Sequence, residues 1–198
     1  MKIHKSHNLL TLFALVVAGC AVAPSHDEGF RLTPEHFRKT ATIEDDSLEI
    51  TATISTYNGF QQAENDNFLR AFIDKKTGYA IFQVYQVIKY RTGWRYYRSV
   101  NYQTQFGPKS EATTNIASDV ACYSSSCKYV EHVGFEIEEA LLRVVGSEYS
   151  PGAQIGWHFK FKAKSGDDYT GWILPAEVAG LLASVDDYRR TYGLFSAR

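Results

Sequence analysis

The chain has 198 residues, enough for one domain of ordinary size and too few for two comfortable ones. Hydrophobic residues make up 44% and charged residues 22%, a globular balance that excludes wholesale disorder. Lysine and arginine total 21 against 22 acids, which argues against nucleic acid as a partner, and 14% aromatic residues favour sheet over a helical bundle.

Lys2 and Lys5 open the chain, Leu9 to Val17 is apolar apart from Thr11, and Ala18-Gly19-Cys20 follow. The apolar run is about half of the ~20 residues a spanning helix needs. A basic start, a short apolar centre and small residues at its end read as an export signal. Val17-Ala18-Gly19-Cys20 resembles the lipobox of bacterial lipoproteins, whose thiol is lipidated and whose chain is cut just before it. The resemblance implies a signal peptide over residues 1–19 and makes Cys20 the first residue of the mature chain. That residue would carry a diacylglyceryl group and an amide-linked acyl chain such as palmitate, and two or more acyl chains make a lasting anchor. Val17 departs from the leucine commonest at its place. Ala21 is not the aspartate that retains enteric-type lipoproteins at the inner membrane, so the implied destination is the periplasmic side of the outer membrane. The alternative is an ordinary signal cut after Ala21-Val22-Ala23, with Pro24 a poor residue to follow. Taking Lys2 and Lys5 from the 21 bases leaves 19 against 22 acids, a mature charge near −3. Anchoring then falls to the lipid, because such a surface is not drawn to anionic membrane.

Residues 20–31 read as the lipidated N-terminus and a tether, and residues 32–198 as a single β-rich domain. Thr33-Pro34 starts a short helix running to about Lys39. Leu48, Ile50, Ala52 and Ile54 alternate with polar residues as a half-buried strand, and Phe68 to Ile73 forms another. Asp74 to Gly78 turns the chain into Tyr79. Two long strands then flank Arg91-Thr92-Gly93, and burial favours a hairpin with a three-residue loop. That register pairs Tyr90 with Trp94, Ile88 with Tyr96 and Gln86 with Arg98, with Trp94 and Tyr96 on the buried face. A strand is expected from Ala112 to Ile116. Val120 to Cys122 and Lys128 to Ile137 form a second hairpin, with Val133, Phe135 and Ile137 on one face and His132 on the other. Ala140, Leu141, Val144 and Val145 have helical spacing, with Gly146 as the stop. Trp157, Phe159, Phe161 and Ala163 alternate with His158, Lys160, Lys162 and Lys164, a one-sided strand whose basic row expects acids opposite, Asp168 among them. Residues 165–168 turn it into Tyr169 to Leu174. Pro175 opens a last helix with Val178, Leu181, Leu182, Val185 and Tyr188 as its apolar stripe, ended by Gly193. The expected class is α+β, a mainly antiparallel sheet of about seven or eight strands with two or three helices, one of them C-terminal.

With Cys20 committed to lipid, Cys122 and Cys127 are an even pair in an oxidising compartment and read as a disulfide. Neither has the C-x-x-C spacing, and no second Cys/His cluster completes a zinc site. His26, His36, His132 and His158 form neither H-x-x-x-H nor H-E-x-x-H, so neither metal nor cofactor is expected. His132 beside Glu131, with Ser124 to Ser126 nearby, could serve a hydrolase, but no G-x-S-x-G elbow accompanies them. Glu136, Glu138 and Glu139 could act as paired carboxylates, or simply favour a helix start. Arg91, Trp94, Arg95, Tyr97 and Arg98 form a basic, aromatic cluster suited to binding, because arginine pairs with carboxylate or phosphate and aromatic rings stack. The expected function is that of a non-catalytic, lipid-anchored envelope protein with a binding or structural role. Its expected partners are the membrane, through the lipid, and an envelope protein or glycan. The alternative is a cell-envelope hydrolase acting on glycan or ester.

Overall fold

The computed structural model describes residues 32–194 except 63 and 154, and the lipobox and tether lie outside the described residues. Among the described residues, three helices and ten strands follow in the order α1 (Pro34–Thr40), β1 (Thr42–Glu44), β2 (Thr51–Ser55), β3 (Asn67–Asp74), β4 (Ala80–Tyr90), β5 (Tyr97–Thr104), β6 (Gly107–Ala112), β7 (Thr114–Tyr123), β8 (Ser126–Ile137), α2 (Glu139–Ser147), β9 (Trp157–Ala163), β10 (Tyr169–Ile173) and α3 (Pro175–Thr191). The class is α+β with antiparallel pairing throughout and a C-terminal helix, as the alternation predicts. The strands divide between two sheets rather than one, β1-β2-β3-β4-β8-β7 and β10-β9-β5-β6.

Strands with one apolar face stand where the sequence places them. In β9, Phe159 and Phe161 are buried while His158 and Lys160 are exposed. Lys162 pairs with Asp168 across the turn into β10. In β8, Val133, Phe135 and Ile137 are buried, and Cys122 faces Cys127 at disulfide distance. Thr33 caps α1 by accepting from the His36 amide, and Gly193 ends α3 at φ 66°, where glycine escapes the Cβ penalty.

The long hairpin expected over residues 79–105 does not form. β4 pairs with β3 and β8, while β5 pairs with β6 and β9 in the other sheet. The cause is a buried carboxylate. Glu131 of β8, 1% exposed, accepts the amide N–H groups of Arg95 at 3.3 Å, Tyr96 at 3.0 Å and Tyr97 at 3.4 Å, together with the Tyr90 hydroxyl. Three successive amides turned toward one carboxylate rotate the chain out of the first sheet, and Tyr96 takes the left-handed φ of 52° that the corner requires. Tyr96 is therefore 46% exposed and Trp94 half-buried, rather than lining the core. Gln86 does not meet Arg98. It lies fully buried, accepting from the Asn67 side chain and donating to the carbonyls of Asn65, Asp66 and Val87.

Three smaller expectations also change. β2 begins only at Thr51, with Leu48 and Ile50 exposed in the preceding loop. The strand expected from Ala112 to Ile116 breaks at Thr113, between β6 and β7. Gly146 does not stop α2 but lies within it. A Cβ there would come within 3.3 Å of the Ala179 backbone nitrogen, so the glycine serves the close approach of α2 to α3.

The core lies between the sheets. Phe135 stacks on Tyr102 at 5.6 Å and meets Phe159 edge-on at 5.3 Å, while Val178, Leu181 and Val185 of α3 complete the same cluster. One face of the six-stranded sheet is thus buried under the second sheet and α3. Among the described residues no helix or strand crosses its other face.

Candidate functional site

The uncovered face carries side chains that sequence reasoning passed over. Along β3 the residues alternate, with Leu69, Ala71 and Ile73 buried and Phe68, Arg70 and Phe72 half-buried on the open side. The available signal was an arginine set between two phenylalanines on what should be the polar side of a strand. The β3–β4 register places Phe68 opposite Tyr85 and Arg70 opposite Gln83. Tyr57, Phe68 and Tyr85 form a continuous row, with Tyr57 edge-on to Phe68 at 5.1 Å and Phe68 stacked on Tyr85 at 4.7 Å. Beyond them the Tyr85 hydroxyl and His132 Nδ1 share a 2.7 Å hydrogen bond.

Arg70 sits among these rings, its guanidinium carbon 4.8 Å from the Tyr85 centroid and 5.2 Å from that of Phe72. Its Nε and one terminal nitrogen donate to Gln83 Oε1 at 2.8 and 2.6 Å. The group is thereby fixed in place by a neutral acceptor. Among the described residues Arg70 makes no ion pair, whereas Arg38, Arg95, Arg143, Arg189 and Arg190 each do. Burial lowers its pKa, the direction expected of a desolvated cation with no acid beside it. Gly134 keeps the floor flat at this point, since a Cβ there would press to 2.9 Å on the Gln83 side chain.

The basic, aromatic cluster read from the sequence is divided by the fold. Tyr97 is 3% exposed and belongs to the core. The Arg95 guanidinium lies 4.7 Å from the Tyr90 ring, reaches the Tyr97 hydroxyl at 3.3 Å and pairs with Asp167 at 3.1 Å. Its Nε is buried without a hydrogen-bond partner. Trp94 packs edge-on against Tyr129 at 5.0 Å, while Arg91 and Arg98 are exposed. Trp94, Arg95 and Tyr97 are thus brought together around the corner of the fold, and only Arg91 and Arg98 stand clear of it.

The residues considered for hydrolysis do not assemble. Ser126, at the hairpin tip, is six positions along β8 from His132, ~20 Å in extended chain. Glu138 pairs with Lys109, which holds its carboxyl below the usual range. Burial pushes Glu139 up, but Arg189 and Arg143 hold it below that range too, the wrong direction for a general acid. Among the described residues, concavities lie elsewhere. One of about 340 Å³ between α1 and α3 is lined by the mutually paired Glu35, Arg38 and Asp187. The other, about 360 Å³, lies between the β5–β6 turn and α2, with Lys109 held by Glu111 and Glu138. Among the described residues no group of three metal-ligating side chains occurs, and no helix is long and apolar enough to cross a membrane.

Comparison with protein-family models, with curated proteins and with solved structures finds no match for this chain.

Proposed function

We propose that this chain is a lipid-anchored protein of the bacterial envelope, held through Cys20 at the periplasmic side of the outer membrane, and that it binds an acidic segment of another envelope protein on its open sheet face. The observation that carries the binding reading is Arg70, a cation set between aromatic rings, fixed by Gln83 and paired with no acid among the described residues. A partner carboxylate there would find a pre-oriented fork in a partly desolvated setting, where charge-assisted hydrogen bonds are strongest. A protein fits better than a glycan because Phe68 and Tyr85 stack on one another and Tyr85 also carries Arg70, so the rings are already engaged. The lipobox resemblance supports the anchor, and the cysteine pair at disulfide distance suits an oxidising compartment.

The test is photo-crosslinking from position 81, on the open face, in the native envelope. Wild type should give a discrete adduct with an acidic protein, Arg70→Ala should lose it, and Arg98→Ala, away from that face, should retain it. Cys20→Ser should leave the chain uncleaved or release it in soluble form. Adduct formation indifferent to Arg70 removes the binding reading, and a serine variant that is cleaved and still fractionates as wild type removes the anchor.

A further inference from the structure

Among the described residues the two sheets have four edge strands, and three of them are guarded. β1 is only three residues long. β6 carries Pro108 with Lys109 and Glu111, each a known deterrent to strand addition. β10 is five residues long, and the Asn67 side chain already donates to its Trp172 carbonyl. β7 is different. Its ten residues carry one charge, Asp119, no proline and no lysine, and every one but Ile116 is exposed. β8 pairs along one side of it, and just before its first residue the Thr113 amide donates to the Arg98 carbonyl.

A register shift between Asn115 and Ala117 divides β7, leaving Ala117 to Tyr123 as a straight seven-residue run up to the turn. Its faces follow from its pairing with β8. Ala117, Asp119, Ala121 and Tyr123 lie on the side of His132, Val130 and Lys128, the open face, and Ser118, Val120 and Cys122 on the other. We propose that this edge pairs antiparallel with the same edge of a second copy of this chain, about a two-fold axis at Val120. An axis perpendicular to the sheet keeps like faces together, so it must pass through a residue, and Val120 is the midpoint of the straight run. Pairing about it sets Tyr123, 78% exposed, over Ala117 of the second copy, Asp119 over Ala121, and Ser118 over Cys122. Large side chains meet small ones, and the acid never faces its own copy. An axis one residue earlier would oppose Asp119 to itself, which like charges oppose. One strand pair alone falls short of the ~1,000 Å² typical of a stable interface, so the dimer is reversible and concentration-dependent. Its open faces lie side by side on one continuous sheet.

The test is sedimentation of the full chain in detergent across a concentration series, with Val120→Lys and Val120→Glu. Val120 is 49% exposed, so both variants should fold with unchanged circular dichroism. Wild type should show a monomer–dimer equilibrium. Each variant alone should raise the dissociation constant at least about tenfold by placing like charges at the axis, and an equimolar mixture of the two should restore dimer. Amides within residues 117–123 should exchange more slowly as wild-type concentration rises. A wild type monomeric to its solubility limit overturns the proposal. So does a dimer that survives Val120→Lys, which would place the contact elsewhere, and so does a mixture that stays monomeric.

Discussion

At the scale of single residues, two arginines on either side of the Tyr96-Tyr97 pair should answer truncation in different ways. Arg95, between Trp94 and Tyr96, and Arg98, between Tyr97 and Ser99, look alike in the chain, three positions apart and each beside a tyrosine. In the fold, 84% of the Arg95 side chain is withdrawn from solvent and its charge is shared between the Tyr90 ring and Asp167, whereas Arg98 is exposed. Arg95→Ala should therefore lower stability by about 2 kcal/mol, through the lost cation–π contact and hydrogen bonds. Arg98→Ala should stay within about 0.5 kcal/mol of wild type. Urea unfolding of both proteins checks this, and equal midpoints would mean that the Arg95 contacts hold nothing. Arg70 does not stand out in the sequence, because an arginine in an alternating strand ordinarily reads as its solvated side. Only the Phe68-x-Arg70-x-Phe72 spacing marks it, and the spacing acquires meaning once Tyr85 and Gln83 are set opposite.

At the scale of elements, α3 shows both what periodicity discloses and what it hides. Its apolar stripe is legible at helical spacing, and Val178, Leu181, Leu182, Val185 and Tyr188 are all buried. Hidden among them is Glu177 in the first turn, 5% exposed, which meets the Thr56 hydroxyl at 2.6 Å and the Leu69 amide at 3.2 Å. An acid at a helix start usually reads as a favourable partner for the dipole. Here burial dominates and pushes the carboxyl up to about 7, against hydrogen bonds from Thr56 and Leu69 that favour the charged form. Because the folded pKa lies above the unfolded one, the folded chain holds the extra proton. The stability this confers is complete below about pH 4.5 and lost as pH rises through 7. The loss attributable to this group is on the order of 3 kcal/mol. Melting temperatures measured from pH 5 to 8 should fall in wild type and change much less in Glu177→Gln, whose amide oxygen still accepts from Thr56. Parallel slopes would show that Glu177 stays ionised throughout. The window stays above the acid limb, where paired carboxylates such as Asp45, Asp168 and Asp187, all held below the usual range, begin to protonate.

At the scale of the whole molecule, class and most element boundaries follow from alternation, because a strand with one apolar face declares itself locally. The division into two sheets does not. It depends on Glu131 meeting amides more than thirty residues earlier in the chain, and no local pattern encodes that contact. In the sequence Glu131 stands beside His132 and suggests catalysis. In the fold it is the fastening that sends β4 into one sheet and β5 into the other. The carboxylate has both oxygens engaged, Oε1 with Tyr90, Arg95 and Tyr96 and Oε2 with Tyr97, and burial, then the contact with Glu131, raises the Tyr90 pKa. Glu131→Gln preserves shape but turns one acceptor into a donor directed at backbone N–H groups. It should destabilise the chain by about 3 kcal/mol, the penalty for buried donors left unsatisfied around a formerly charged acceptor. Because the corner joins the two sheets, the loss should appear as a shifted urea midpoint with an unchanged slope, both sheets unfolding together. A variant within about 0.5 kcal/mol of wild type would show that aromatic packing between the sheets fixes the corner unaided. Separate transitions for the two sheets would show that Glu131 couples them rather than merely positioning them.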